Sequence, residues 1–378
     1  MSNKTSPVTR RKFLKTSALA AGAATVGTVA MPQVSRAQTT NLKYQSTWPT
    51  KDIFHEFAVD YANKVNDMTG GRVKLEVLAA GAVVPAFQMQ DAVHSGVLDG
   101  GHGVCAYWYG KHKAFSLFGT PPSYGWDAHG FLGWFYAGGG EALYNELVND
   151  ILKVNTVGFL YFPMPTQPLG WFKKPVTSPD DFKGLKYRTV GLSADLFREM
   201  GCAVTILPGG EIVPAMDRGL LDAAEFNNPS SDILLGFPDV SKVFMLQSNH
   251  QQAEAFEIIF NKAKFNALPT EVKAILRNAA FASTAHQLNI AYDRYSKDLE
   301  AIKARGVQVL KTPDSVLNAQ LQAWNRVLEA QQKDPATGAF FTKVSDSQKA
   351  WVKRTSAYLQ VNNNNSGALE AAYKHFFG

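Results

Sequence analysis

Arg188 ends a short extended piece of chain, and a guanidinium placed there offers a planar fork that meets a carboxylate through two parallel N–H bonds. In a cleft that closes over its ligand the dielectric falls and such a pair strengthens. From spacing alone the competing reading is an arginine in a surface salt bridge. Further on, Glu225 and Phe226 close the segment Asp222-Ala223-Ala224-Glu225-Phe226. A glutamate among apolar residues often serves as a strand-end pair. Together with the side-chain amide of Gln167 and the main-chain carbonyl of Phe226, it also supplies hard oxygen donors suited to a cation. Gln251 can add one more oxygen, with Glu254 as the alternative. Aromatics gather at two predicted strand ends, Trp48 after the first and Tyr107-Trp108-Tyr109 after the third, where they form either a binding wall or core. His94, His102 and His112 follow no metal-ligand spacing and read as hydrogen-bonded or exposed histidines rather than zinc ligands.

These groups need a frame. The stretch from Gly184 to Pro229 reads as an extended piece to Arg188, a helix from Ser193 to Met200, a strand at Ala203–Leu207, a glycine turn, a second helix ending at Gly219 and an extended DAAEFNN segment. Ser193 is the expected N-cap, Gly201 the expected stop, and Gly209-Gly210 open the second helix. Upstream, Leu42–Ser46, Val73–Leu78 and Val97–Val104 read as strands. Helices at 54–68 and 87–95 separate them, a pattern that predicts a parallel α/β layer with its ligand edge at the strand C-terminal ends. Val157–Phe162 is a further strand, which Pro163, Pro165 and Pro168 are expected to break into a crossover hinge with Gln167 at its far side. Val243–Gln247 and Phe256–Phe265 are two more strands, the second a return toward the first domain. A long helical series, 270–304, then leads to a strand at 307–310 and a helical remainder.

The Gly184–Pro229 stretch resembles the signature region of the solute-binding proteins of tripartite ATP-independent periplasmic (TRAP) transporters. In that family an arginine closes a strand shortly before the ordered motif carried here by Leu207-Pro208-Gly209-Gly210-Glu211-Ile212, Pro214, Arg218, Gly219, Asp222 and Glu225. The resemblance covers nearly all of the chain beyond its N-terminal leader. It implies a two-lobed α/β periplasmic binding fold, a hinge, and a small organic acid caught between the lobes and handed to membrane permease subunits. In the branch that takes 2-oxo and 2-hydroxy monocarboxylates such as pyruvate and lactate, it implies Ca²⁺ or Na⁺ bridging the protein and the acid. Arg188, Gln167, Tyr107, Trp48, Phe226 and His250 then stand as ligand-binding residues, and Gln167, Glu225, Phe226 and Gln251 as cation ligands. Three departures are visible. Leu169 replaces a glycine in Gln167-Pro168-Leu169-Gly170-Trp171-Phe172, Phe226 stands where tryptophan is common, and Asn249-His250-Gln251 stands where Trp-His-Glu is common. His250 therefore either touches the ligand or simply packs. Relatives also embrace a partner subunit through a C-terminal helix. Leu317, Leu321, Trp324 and Leu328 recur at helical spacing and offer such a homodimer face, or a face that packs on the chain itself.

Residues 1–37 read as an export signal. Arg10-Arg11 with Phe13-Leu14-Lys15 matches the twin-arginine pattern, the apolar stretch is short and rich in Gly and Ala, and Ser35-Arg36-Ala37 suits a signal peptidase. This segment holds six basic side chains and no acid. Taking those six from the 38 Lys and Arg of the chain leaves 32, equal to its 32 Asp and Glu. The basic balance thus belongs to the leader, and electrostatics makes no case for nucleic acid or an anionic membrane. The remaining length calls for two domains: 39–164 with 266–312 as the first α/β lobe, 165–265 as the second, and helices over 313–378. Cys105 and Cys202, expected in different lobes, read as free buried thiols, although export would permit a disulfide. The rival to a receptor is an exported enzyme or oxidoreductase acting on carboxylates, but the sequence has no dinucleotide fingerprint, histidine cluster or G-x-S-x-G elbow. A receptor feeding a sensor kinase, or one for a sugar acid or C4 dicarboxylate, also stays open; a second arginine near the site would favour a dicarboxylate, and Arg198 and Arg218 lie within helices.

Overall fold

Asp52 sets the first lobe going. Its side chain accepts from the amide of Phe54 and caps helix α1 (Ile53–Met68), whose Phe54, Phe57, Ala58, Tyr61, Ala62 and Val65 form the expected buried face. The structure, a computed structural model, describes residues 39–122, 124–361 and 375, so the export signal expected over 1–37 and the Asn362–Asn365 run lie outside the described residues. Strands β1 (Thr40–Ser46), β2 (Val73–Leu78) and β3 (Gly100–Val104) pair in parallel around α1 and α2 (Met89–Ser95), as the alternation predicts. Three short helices follow: α3 (Phe115–Gly119), α4 (Ala128–Ala137) and α5 (Gly140–Asn145).

Strand β4 (Thr156–Met164) runs on through Pro163 rather than breaking there. The extra residue, Phe162 at φ 42°, is taken up as a bulge where the pairing with the return strand shifts between Ala255 and Phe256. Chain then crosses to β5 (Gly170–Phe172), β6 (Lys186–Arg188), helix α6 (Leu192–Glu199), β7 (Ala203–Thr205), α7 (Gly209–Asp217), β8 (Ala223–Ala224), α8 (Pro229–Leu235), α9 (Phe237–Val240) and β9 (Val243–Leu246). Gly191 occupies the cap position of α6, and Ser193, expected there, instead sends its hydroxyl to the carbonyl of His250 at 3.1 Å. Strand β10 (Glu254–Asn261), helix α10 (Lys262–Ala267), the 35-residue α11 (Thr270–Ala304), β11 (Gln308–Lys311), α12 (Asp314–Gln332) and α13 (Gly338–Val361) complete the order.

Two mixed sheets result, β2-β1-β3-β10-β4 and β11-β9-β5-β8-β6-β7. Two strands sit on the other side of the expected lobe boundaries. β10, placed within 165–265, is inserted antiparallel between β3 and β4 of the first sheet, and β11, placed with 266–312, pairs in parallel with β9 of the second. Every residue of β10 is buried, and such a strand fits the interior of either sheet, so periodicity does not say which. Helix α11 packs on α1 and β4 of the first lobe and on α8 of the second, and delivers the chain back across. Trp324 and Leu328 of α12 are buried in the core of their own chain, while Leu321 is exposed, so that face is turned inward in the main. Cys105 and Cys202 are both free and buried, in separate hydrophobic clusters. Among the described residues no helix is long and apolar enough to cross a membrane.

Candidate functional site

Arg188 is the last residue of β6, an interior strand flanked by β7 and β8, so neighbours on both sides fix where its side chain leaves the sheet. It is 1% exposed. Its Nε and Nη2 donate to the carbonyl of Leu207 at 2.9 and 2.6 Å, and its Nη1 donates to the carbonyl and to Oε1 of Glu225 at 2.9 and 3.1 Å. A guanidinium has five N–H groups, so four are committed to the protein and one remains on Nη2. The fork thus holds the end of the second sheet together and keeps one N–H uncommitted. The ring of Phe226 lies 5.6 Å from the guanidinium carbon.

Glu225 is fully buried. Burial pushes its carboxyl above the usual range, and the Arg188 charge opposes the shift. The Gln167 amide nitrogen donates to both Glu225 Oε2 and the Phe226 carbonyl. Its main-chain N–H donates to the carbonyl of Gln251 at 3.0 Å. Gln251 Nε2 donates to Glu254 Oε2 at 2.7 Å. The side-chain oxygens of both glutamines, Gln167 Oε1 and Gln251 Oε1, are buried with no partner. Two uncommitted amide oxygens thus stand beside a carboxylate and a carbonyl, among a larger set of buried side-chain atoms without a partner that includes His250 Nε2. The donor set is all oxygen, which fits a hard cation. No group of three or more His, Cys, Asp and Glu forms a metal centre among the described residues.

The first lobe closes over this cluster with Trp48 and Tyr107. The Trp48 ring lies 5.6 Å from that of Tyr107 and 6.4 Å from that of Phe226, and its Nε1 donates to His102 Nδ1 at 2.8 Å. Trp48 is thus a buried wedge between the lobes. Burial raises the Tyr107 phenol above its ordinary value; Arg188 works against this, while Glu254, Asp52 and Glu225 add to it, which puts the ring within electrostatic reach of the whole cluster. Gly209 is needed beneath the wall, because a Cβ there would collide with the Phe226 ring.

His250 is not brought to the cluster. Its ring packs 5.4 Å from Phe197, its Nδ1 meets Ser248 Oγ at 2.5 Å, and burial pushes it down to about 3, so it is neutral. Packing thus accounts for one ring nitrogen, while Nε2 is buried with no partner. Two acids that the sequence did not single out lie close by. Asp52 is buried and pushed up to about 6, and Asp232, which accepts from Trp171 Nε1 at 2.8 Å, is pushed up to about 8, both by burial. Glu254, only an alternative in the sequence, is 3% exposed and pushed well above the carboxylate range by burial and by Glu225. Two surface depressions of about 350 and 390 Å³, one lined by Lys173, Lys174 and Asp181 and the other by Thr166, Gln247 and Leu317, lie apart from the cluster. Arg188, Glu225 and Gln167 are all sealed from solvent.

A protein of Nostoc sp. described as a monocarboxylate 2-oxoacid-binding periplasmic protein is 31% identical over 372 residues, 97% of this chain and 98% of that one. A solved TRAP periplasmic solute-binding protein of Colwellia psychrerythraea, with bound calcium and pyruvate, is 26% identical with a TM-score of 0.79 and covers 86% of this chain and 98% of that one. One of Pseudoalteromonas atlantica, with bound sodium and pyruvate, is 26% identical with a TM-score of 0.80 over 90% of this chain and all of that one. Residues 44–334 match the family described as DctP, bacterial extracellular solute-binding protein, family 7, and the chain belongs to that family.

Proposed function

We propose that the chain is the exported receptor of a TRAP transporter, closing its lobes over a 2-oxo or 2-hydroxy monocarboxylate such as pyruvate or lactate. The observation that carries this reading is the sealed cluster of Arg188, Glu225, Gln167 and the Phe226 carbonyl, with its two orphaned amide oxygens. Gln167, Glu225, Phe226 and Gln251 would hold Ca²⁺ or Na⁺. When bound, the ion would supply positive charge to the acid's carboxylate. The remaining Nη2 hydrogen of Arg188 donates to the carboxylate, and Trp48, Tyr107 and Phe226 exclude water from the acid's short apolar end. Arg188 is the one buried Arg or Lys among the described residues, and the buried acids Glu254, Asp52 and Asp232 stand around it, so a second ligand carboxylate has nothing to pair with. This favours a monocarboxylate over a C4 dicarboxylate.

Export by the twin-arginine route and delivery to membrane permease subunits belong to the same reading, as does the absence of chemical turnover. A related structure from Bordetella bronchiseptica, described as a mixed occupancy dimer, keeps self-association through the C-terminal helices as a further proposal. The test is a thermal-shift screen of pyruvate, lactate, a sugar acid and succinate against the purified protein, with and without Ca²⁺ or Na⁺. Saturation at about 100 times Kd stabilises the folded form by about 2.7 kcal/mol. Stabilisation by pyruvate and not succinate supports the reading; stabilisation by succinate alone overturns it. Pyruvate recovered unchanged after long incubation supports a receptor over an enzyme.

A further inference from the structure

Ligand affinity in a hinged receptor depends on how much of the protein occupies the closed form, so contacts that hold the lobes together outside the pocket act on binding. One meeting line runs along the start of α6. Gly191, at φ +60°, lies so close to the first lobe that a Cβ would stand 2.8 Å from Ser116 Oγ and 3.1 Å from the Cβ of Ala106. The next amide, Leu192 N–H, donates to Ser116 Oγ at 3.1 Å. Just beyond, one side chain gathers donors from three elements. Asp195 Oδ2 accepts from the Tyr109 hydroxyl of the first lobe and from Gln331 Nε2 of α12 at 3.1 Å, while Oδ1 accepts from Arg198 Nη1 of its own helix at 3.0 Å. Lys113 of the first lobe stands 3.6 Å above the Tyr109 ring and donates to the same hydroxyl. The Asp195 side chain keeps 20% of its surface in water, and none of its partners belongs to the Arg188 cluster.

We propose that Asp195 is a closure catch: a carboxylate of the second lobe that takes the Tyr109–Lys113 pair of the first only when the lobes are shut, and so sets ligand residence time from outside the pocket. A carboxylate acceptor makes the bond to Tyr109 stronger than a neutral one would be, and Lys113 adds an attractive charge. When the lobes part, water replaces Tyr109 while Arg198 stays with Asp195 on the same helix turn, so the catch can re-form. The inference rests on the receptor reading for its ligand, and a ligand-free measurement keeps the two separable.

The experiment uses the full chain with pyruvate and Ca²⁺, and compares wild type with Asp195→Ala, Tyr109→Phe and the double variant. Charge-assisted but partly solvated bonds of this kind lead us to expect an increase in koff of about five- to ten-fold with kon unchanged. The double variant is expected to be no weaker than Asp195→Ala alone, since both changes remove one interaction. Purely structural damage lowers resistance to urea without this split between rates. In parallel, fluorophores on Lys74→Cys and Lys174→Cys, one exposed position in each lobe, report the interlobe distance without ligand, which lengthens in Asp195→Ala. Unchanged koff together with an unchanged distance overturns the proposal. If wild type fails to bind pyruvate, the receptor reading is what fails, and the ligand-free distance then decides the catch by itself.

Discussion

Replacing Arg188 with alanine tests more than ligand binding. The side chain is buried, and its four committed N–H groups satisfy Leu207 O, Glu225 O and Glu225 Oε1. Removing it leaves a buried carboxylate without its cation and two main-chain carbonyls short of a donor. Arg188→Ala is therefore expected to lower stability as well as to abolish carboxylate binding. Breaking one side of a buried ion pair costs about 3–5 kcal/mol, against a total stability of roughly 5–15 kcal/mol. With a urea slope of about 3 kcal/mol/M, the unfolding midpoint falls by roughly 1–1.7 M. Much of the loss comes from the stranded Glu225, so the double variant Arg188→Ala/Glu225→Gln is expected to be more stable than Arg188→Ala alone, by about 1–3 kcal/mol. The assay is urea unfolding of the ligand-free protein at neutral pH, followed by tryptophan fluorescence. An unchanged midpoint for Arg188→Ala, or strictly additive effects in the pair, refutes the reasoning that the guanidinium is structural as well as ligand-facing.

Four other outcomes follow from the same geometry. Asp232 and Asp52 hold protons more tightly folded than unfolded, with values near 8 and 6 against 3.8, so their contribution is full below about pH 3.8 and is lost as pH rises through 6 and then 8. Unfolding between pH 5 and 8.5 is expected to show stability falling with rising pH, and Asp232→Asn to flatten the upper half of that slope. Gly209→Ala forces the Phe226 ring aside and is expected to cost about 1–3 kcal/mol of stability and to weaken pyruvate binding, measured by urea unfolding and calorimetry. Cys105 is pushed well above the thiol range and Cys202 up to about 12, so a thiol-reactive dye is expected to label neither until urea unfolds the chain. Gln167→Leu removes an orphaned oxygen and an amide donor together. It is expected to lower ligand-free stability by about 1–3 kcal/mol, because Glu225 Oε2 and the Phe226 carbonyl lose their donor, and to abolish the effect of Ca²⁺ on the melting temperature; a Ca²⁺ response equal to that of wild type sinks the cation site.

The frame around the site was legible because local signals there agree. Arg188 at a strand end, the glycine stops and the α1 face all appear where spacing puts them, since caps, turns and 3.6-residue periodicity act over a few residues. β10 was read as a return to the first lobe although the boundary was drawn after it, and the lobe of β11 was not legible. EAFEIIFN is buried throughout and QVLK is too short to carry a pattern, and the partner of each lies far away in sequence. A proline in β4 was read as a break because the bulge that accommodates it depends on a register shift in β10, which only the pairing reveals.

The site itself divides along the same line. Residue types announced the donors, since an arginine, a glutamate and two glutamines at loop and strand ends are the right chemistry wherever they meet. What they do not announce is how much of each side chain the protein keeps for itself. Arg188 was read as a free fork because sequence counts its donors and not their acceptors; the structure commits four of five to carbonyls and Glu225. His250 was read, from the family resemblance, as touching the ligand or packing; Ser248 holds its Nδ1 and Phe197 packs on the ring, while Nε2 is buried without a partner. Glu254 and Asp52 went nearly unnoticed for the opposite reason, since burial turns an ordinary surface residue type into a group that holds its proton. What remains uncommitted is a single Arg188 N–H and two amide oxygens, beside buried acids that oppose a second negative charge. On the proposed reading, selectivity for a monocarboxylate follows from that scarcity of free donors more than from the presence of one arginine.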